Sequence, residues 1–193
     1  PGWGHASSSD FIFWQHEPIA LMPGPEDFDV EAVASGGCIV HDGVPTIIYT
    51  GVGPSGQTQC IATSDDSMKV WHKYPGNPVI GQRPDVAGLE DGFRDPCCWK
   101  EGNTYRLLVG SGIKDVGGTV LLYQSNNLVD WEFIGPLCVD MGEHCFQWEC
   151  PAFFPLTKGD VTKHALIVSP LYNDNPLLRS EVLAAVGEYT GDK

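Results

Sequence analysis

The chain repeats itself at a period of about sixty residues, and that period restricts the fold more than any other feature. One signature is a small polar pair followed by a tryptophan: Ser9-Asp10 leads to Trp14, Ser64-Asp65 to Trp71, and Ser125-Asn126 to Trp131. These tryptophans are 57 and 60 residues apart. A second signature is a turn before an apolar run. His41-Asp42-Gly43 precedes Thr46–Tyr49, Lys100-Glu101-Gly102-Asn103 precedes Tyr105–Val109, and Thr157-Lys158-Gly159-Asp160 precedes Ala165–Val168. The runs end 60 and 59 residues apart. They are short, rich in β-branched and aromatic residues, and bounded by Gly, Pro, Asn and Asp, as strands are. Thr119–Gln124 is another such run, and no stretch shows a capped apolar pattern at helical period. The pattern predicts an all-β fold of radial antiparallel blades, a β-propeller. A solenoid is the alternative, although its repeats are usually shorter. At this period 193 residues hold between three and four blades, whereas propellers usually close with four to eight. The expectation is one partial propeller domain over residues 1–193, with no second domain and with further polypeptide completing the ring. The chain starts at Pro1 without a signal-peptide pattern, and is expected to be processed, trimmed or part of something longer.

Charge narrows the partners. Eleven basic against 25 acidic residues give a net charge of −14, a field that repels phosphate backbones and argues against nucleic acid. No apolar run has membrane-spanning length. The seven cysteines include no Cys-x-x-Cys pair, and no histidine has a partner at metal-ligand spacing, so neither a metal nor another cofactor is expected.

Two short acidic motifs carry the chemistry. Phe93-Arg94-Asp95-Pro96 sets a carboxylate beside an arginine, and Trp148-Glu149-Cys150-Pro151 sets another between a tryptophan and a cysteine. Asp95 and Glu149 are 54 residues apart, close to the repeat, so both are expected at equivalent places in successive blades. Two carboxyl groups facing one pocket are the equipment for cleaving a glycosidic bond. Asp95 is expected to stay ionised beside Arg94, and Glu149 to be shielded from water by Trp148 and Pro151. Taken alone, Asp95 reads equally as a turn-capping residue and Glu149 as a surface strand glutamate. Asp10, Asp29 and Asp42 read as turn residues. Trp14, Trp71 and Trp131 read as blade core, and Trp3 and Trp148 as candidates for a sugar-facing wall.

With these motifs in view, the chain resembles glycoside hydrolase family 32, the invertases, fructan hydrolases and fructosyltransferases. The resemblance rests on Trp3-Gly4-His5-Ala6-Ser7 with Asp10 and Trp14, on Phe28-Asp29-Val30 leading to Ser35-Gly36, and on the Arg-Asp-Pro and Glu-Cys-Pro motifs. It implies a five-bladed propeller, a funnel-shaped site, and a retaining mechanism at β-fructofuranosyl bonds of sucrose, inulin or levan. It also implies an extracellular, cell-wall or vacuolar setting. Carried over by position, Glu149 is the general acid/base and Asp95 the transition-state stabiliser. Arg94 orients Asp95 and the sugar, and Trp148, Ser35, Gly36 and Trp3 join it in holding substrate. The chain departs from the family in having Ala152 after Glu-Cys-Pro and Ala34 and Gly37 around Ser35-Gly36. It contains no Asn-Asp-Pro, the motif that carries the family's nucleophile, so these 193 residues alone are expected not to hydrolyse sugar, and the alternative reading is a non-catalytic sugar-binding relative or inactive fragment.

Overall fold

The structure is a computed structural model that describes residues 1–25, 28–140, 145–172 and 181–191. Every regular element in it is a strand, and the strands form four antiparallel sheets. A two-stranded hairpin pairs β1 (Ala6–Ser7) with β2 (Gln15–His16). The first blade joins β3 (Ala32–His41), β4 (Val44–Gly53), β5 (Gly56–Ser64) and β6 (Trp71–Lys73) in sequence order. The second joins β7 (Arg94–Glu101), β8 (Thr104–Ile113), β9 (Gly117–Ser125) and β10 (Glu132–Val139) in the same way. The third joins β11 (Gln147–Lys158), β12 (Val161–Leu171) and β13 (Leu183–Gly187).

Both repeat signatures map onto this frame. The turn-plus-run signature marks the first hairpin of each blade: Asp42-Gly43, Gly102-Asn103 and Gly159-Asp160 are two-residue turns closed by His41↔Val44, Glu101↔Thr104 and Lys158↔Val161. Asp42 and Gly43 both have positive φ, 48° and 82°, which a type I′ turn requires and an Asp-Gly pair supplies. The Ser-Asp…Trp signature marks the step from third to fourth strand, where Ser64 pairs with Trp71. Ser125 Oγ meanwhile accepts from the amides of Asn127 and Leu128 ahead of Trp131.

The first strands of the blades, β3, β7 and β11, pack side by side, and apolar second and third strands fill the space between sheets. Ile48, Leu107, Val109, Leu121 and Phe93 lie in one fully buried cluster between the first two blades. Leu108, Val120, Leu122, Trp148, Leu166 and Val168 form another between the second and third. Burying each large side chain of this kind contributes about 1.5–3 kcal/mol. As expected, Trp131 packs against the first of these cores, and Trp71 packs against a further cluster of Val33, Ile47, Tyr49, Cys60 and Ala62. Trp14 does not: with Phe11, Ile12 and Phe13 it sits in the β1–β2 loop, 57% exposed, because the described chain puts no sheet against that hairpin. Asp29 lies in a turn, but it is completely buried, bonded by Tyr49 Oη at 3.0 Å and Lys73 Nζ at 2.5 Å.

Candidate active site

Each first strand carries a bulge at the same place. On β3, Val33 pairs with Gly51 and Gly36 with Tyr49, so Ala34 and Ser35 face a single residue, Thr50. On β7, Asp95 and Pro96 are the extra pair against Val109, and on β11, Cys150 and Pro151 against Val168. Proline suits such a place, since no ladder hydrogen bond is lost there. In this frame Asp95 is equivalent to Cys150, and Glu149 is equivalent to Arg94. The two carboxylates are thus one residue out of step, which corrects the expectation of equivalent positions.

Asp95 and Cys150 both adopt the left-handed conformation, with φ of 62° and 47°. A non-glycine residue held there costs on the order of 1 kcal/mol, and Asp is among the residues that tolerate it best. The conformation persists because hydrogen bonds fix it. Asp95 Oδ2 accepts from the Cys150 amide at 3.0 Å and from the Cys150 thiol at 3.5 Å. Partial desolvation and then the Asp95 carboxylate push that thiol up to about 11, so it remains a donor through neutral pH.

Arg94 makes the second cross-blade link. Its Nε and Nη2 both reach Glu149 Oε1, at 2.6 Å and 2.5 Å. The guanidinium therefore grips the acid of the next blade rather than Asp95 beside it. Among the described residues Glu149 Oε2 accepts no hydrogen bond, and the Glu149 side chain is 26% exposed. Gln57 Oε1 steadies the approach, accepting from the Phe93 amide at 2.7 Å and touching Arg94 Nη1 at 3.5 Å. Beneath Asp95, its amide donates to Thr50 Oγ1 at 2.9 Å. Gln57 and Thr50 escaped the sequence reading. The one signal for Thr50 is a polar side chain after the apolar run Ile47–Tyr49, and Gln57 has none.

The remaining candidates divide. Trp3 donates from Nε1 to the Ala34 carbonyl at 2.8 Å and so pins the first bulge. Ser35 and Gly36 are exposed on that bulge, and β3 there runs past Pro96. Trp148 is only 5% exposed, with its ring in the core between blades, which leaves little of it to face a sugar. Gly118 and Gly110 make room for it: a Cβ at Gly118 would enter the ring. A Cβ on Gly36 would collide with the Ile48 carbonyl of the neighbouring strand. Gly36→Ala is therefore expected to cost about 1–3 kcal/mol by forcing β3 and β4 apart, read from the urea midpoint.

A polar cleft of about 700 Å³ opens beside this site, between the β4–β5 turn at Pro54-Ser55 and the segment around Gln82–Asp91. Gln57 lines it as well as contacting Arg94, so one residue links the cleft wall to the arginine that holds Glu149. Its one arginine, Arg83, is occupied by Asp91 at 2.9 Å. The arrangement offers two carboxylates in different settings: Asp95 is 6% exposed and held by donors, and Glu149 is accessible and held on one oxygen only. One can be fixed against a developing positive charge while the other exchanges a proton.

Comparison with known proteins bears on that chemistry. The model of the glycosyl hydrolases family 32 N-terminal domain matches residues 1–193. A sucrose-6-phosphate hydrolase of Escherichia coli is 41% identical over 180 residues, covering 87% of this chain and 35% of the relative. One from Bacillus subtilis is 33% identical over 177 residues, again 87% of this chain and 35% of the relative. Among solved structures, fructan 1-exohydrolase IIa of Cichorium intybus superposes with a TM-score of 0.83 at 29% identity, covering 99% of this chain and 37% of that one. The Bombyx mori β-fructofuranosidase BmSUC1 superposes at 0.79 with 33% identity, covering 98% of this chain and 40% of that one. The chain thus spans about a third of the length of the relatives it matches.

Proposed function

The chain belongs to glycosyl hydrolase family 32 and folds as that family's β-propeller, and on this basis we propose that it forms part of a retaining hydrolase of β-fructofuranosyl bonds. The observation that carries the reading is the paired link across two blades, Asp95 to Cys150 and Arg94 to Glu149, which holds two carboxylates of unlike setting at one place. In this proposal Glu149 is the general acid/base. Arg94 fixes Oε1, and Oε2 meets the glycosidic oxygen, protonates it as the bond breaks, and later takes the proton of the attacking water. Asp95 stays on the sugar side. Its buried carboxylate accepts from fructose hydroxyls and stabilises the positive charge that develops on the ring. The nucleophile that forms the covalent intermediate lies outside these residues. Trp3, Ser35 and Gly36 form the near wall, and the cleft at Gln57 takes the remainder of sucrose or of a fructan. The relatives named hydrolases of sucrose 6-phosphate, and a BmSUC1 mutant whose structure was solved with sucrose, support a fructose-containing substrate.

The test is an assay of the longer protein that contains this chain against sucrose, inulin and levan. Release of fructose with retained anomeric configuration is the expected result, while residues 1–193 expressed alone give none. Transfer of fructose to a second sugar in place of water would reassign it as a transferase. Absence of turnover by the longer protein on all three would overturn the reading.

A further inference from the structure

We propose that Thr50 and Gln59 are positioning residues that set the Asp95 carboxylate, a role that rests on the function proposed above. Both are completely buried, and they face each other across β4 and β5. Thr50 Oγ1 accepts from the Asp95 amide at 2.9 Å and donates to Gln59 Oε1 at 3.0 Å. Gln59 Nε2 donates to the Phe93 carbonyl at 2.8 Å. The β7 bulge takes the Asp95 amide out of register with β8, and the Phe93 carbonyl lies just ahead of the strand. The Thr–Gln pair stands in for the missing rungs, and it fixes the left-handed turn that aims Asp95 at β11.

The repeat shows that the fold itself does not ask for these residues. The pair equivalent to Thr50 and Gln59 is Val109 facing Leu121 in the second blade and Val168 facing Leu183 in the third. All four are apolar, and Val109, Leu121 and Val168 are buried. Of the three described blades, only the one beneath Asp95 departs from an apolar pair, at a position where polar groups need partners of fixed direction. The chain of bonds runs on from there: Gln59 to Thr50, Thr50 to the Asp95 amide, and the Asp95 carboxylate to the Cys150 amide next to Glu149.

The experiment grafts the second blade's pair onto the first, as Thr50→Val with Gln59→Leu, in the longer protein, with Thr50→Ser as the conservative control. Because valine and leucine already fill these places in a neighbouring blade, the graft is expected to fold, with a thermal midpoint lowered by the Asp95 amide and Phe93 carbonyl that it leaves unpaired. Its kcat on sucrose is expected to fall about 10–100-fold with KM little changed, as a small misplacement of a catalytic group does. Thr50→Ser is expected to restore most of that rate. In an Asp95→Asn background the graft should cost nothing further, because it acts through Asp95. An active wild type with an undiminished graft overturns the inference alone. So does a loss that adds fully to Asp95→Asn, or a graft that fails to fold, since each makes the pair structural. A wild type inactive on every fructoside overturns the proposed function, and this inference with it.

Discussion

Glu149→Gln lowers kcat on sucrose and inulin by about 10²–10⁴-fold in the longer protein and leaves sugar binding close to wild type. The size follows from the proton that the residue moves in the proposed mechanism. The amide keeps the shape and one hydrogen-bond acceptor for Arg94, so the Arg94 link at 2.6 Å is weakened rather than abolished and the β11 bulge stays in place. What is lost is proton transfer to the leaving oxygen. Steady-state kinetics with isothermal titration of a slow substrate separates the two effects. A variant with wild-type turnover would remove Glu149 from the acid/base role. A variant that lost binding and turnover together would make it an anchor for the sugar.

Asp29→Ala destabilises the folded chain by about 3 kcal/mol, the largest effect expected of a single change away from the site. Asp29 is fully buried and carries three bonds: Tyr49 Oη and Lys73 Nζ on Oδ2, and the Gly24 amide on Oδ1. Removing it strands a phenol and an ammonium group inside the first blade and releases the segment that leads into β3. Lys73 keeps 23% of its side-chain surface, which lets water reach its charge and holds the loss at the lower end for a broken buried pair. Asp29→Asn, which keeps an acceptor for Tyr49, is expected to lose less. Urea unfolding of both variants gives the comparison, and a loss under about 1 kcal/mol for alanine would show that water fills the vacancy.

Local chemistry made the blades legible in the sequence. A two-residue turn with glycine, and a polar pair before tryptophan, are short-range signals that mean the same thing in every repeat. They located both hairpin types at Asp42-Gly43 and at Ser64…Trp71. The two acidic motifs stood out for the same reason. What escaped was anything that depends on which residue of one blade faces which residue of the next. Asp29 looked like an ordinary turn residue because its partners Tyr49 and Lys73 lie 20 and 44 residues away. Trp14 carries the same signature as Trp71 but has no sheet to pack against among the described residues, so pattern and burial part company there. The bulges shift the register by one, and a spacing of 54 against 55 residues does not disclose that. The prolines at 96 and 151, which sit badly inside a regular strand, were the available clue.

The bulges place like seats of adjoining blades against one another: Arg94 meets Glu149, and Asp95 meets Cys150. A ring of identical blades would obey rotational symmetry and bring arginine against arginine or acid against acid at this point. The central contacts can be favourable only if neighbouring copies differ there. Symmetry breaking is thus a physical requirement at the axis, while the outer strands remain free to stay alike. A residue copied from one blade into the next at these seats would set like charge against like in place of the Arg94–Glu149 contact. Exchanging Arg94 and Glu149 between their blades would preserve the attraction and move the acid from β11 to β7.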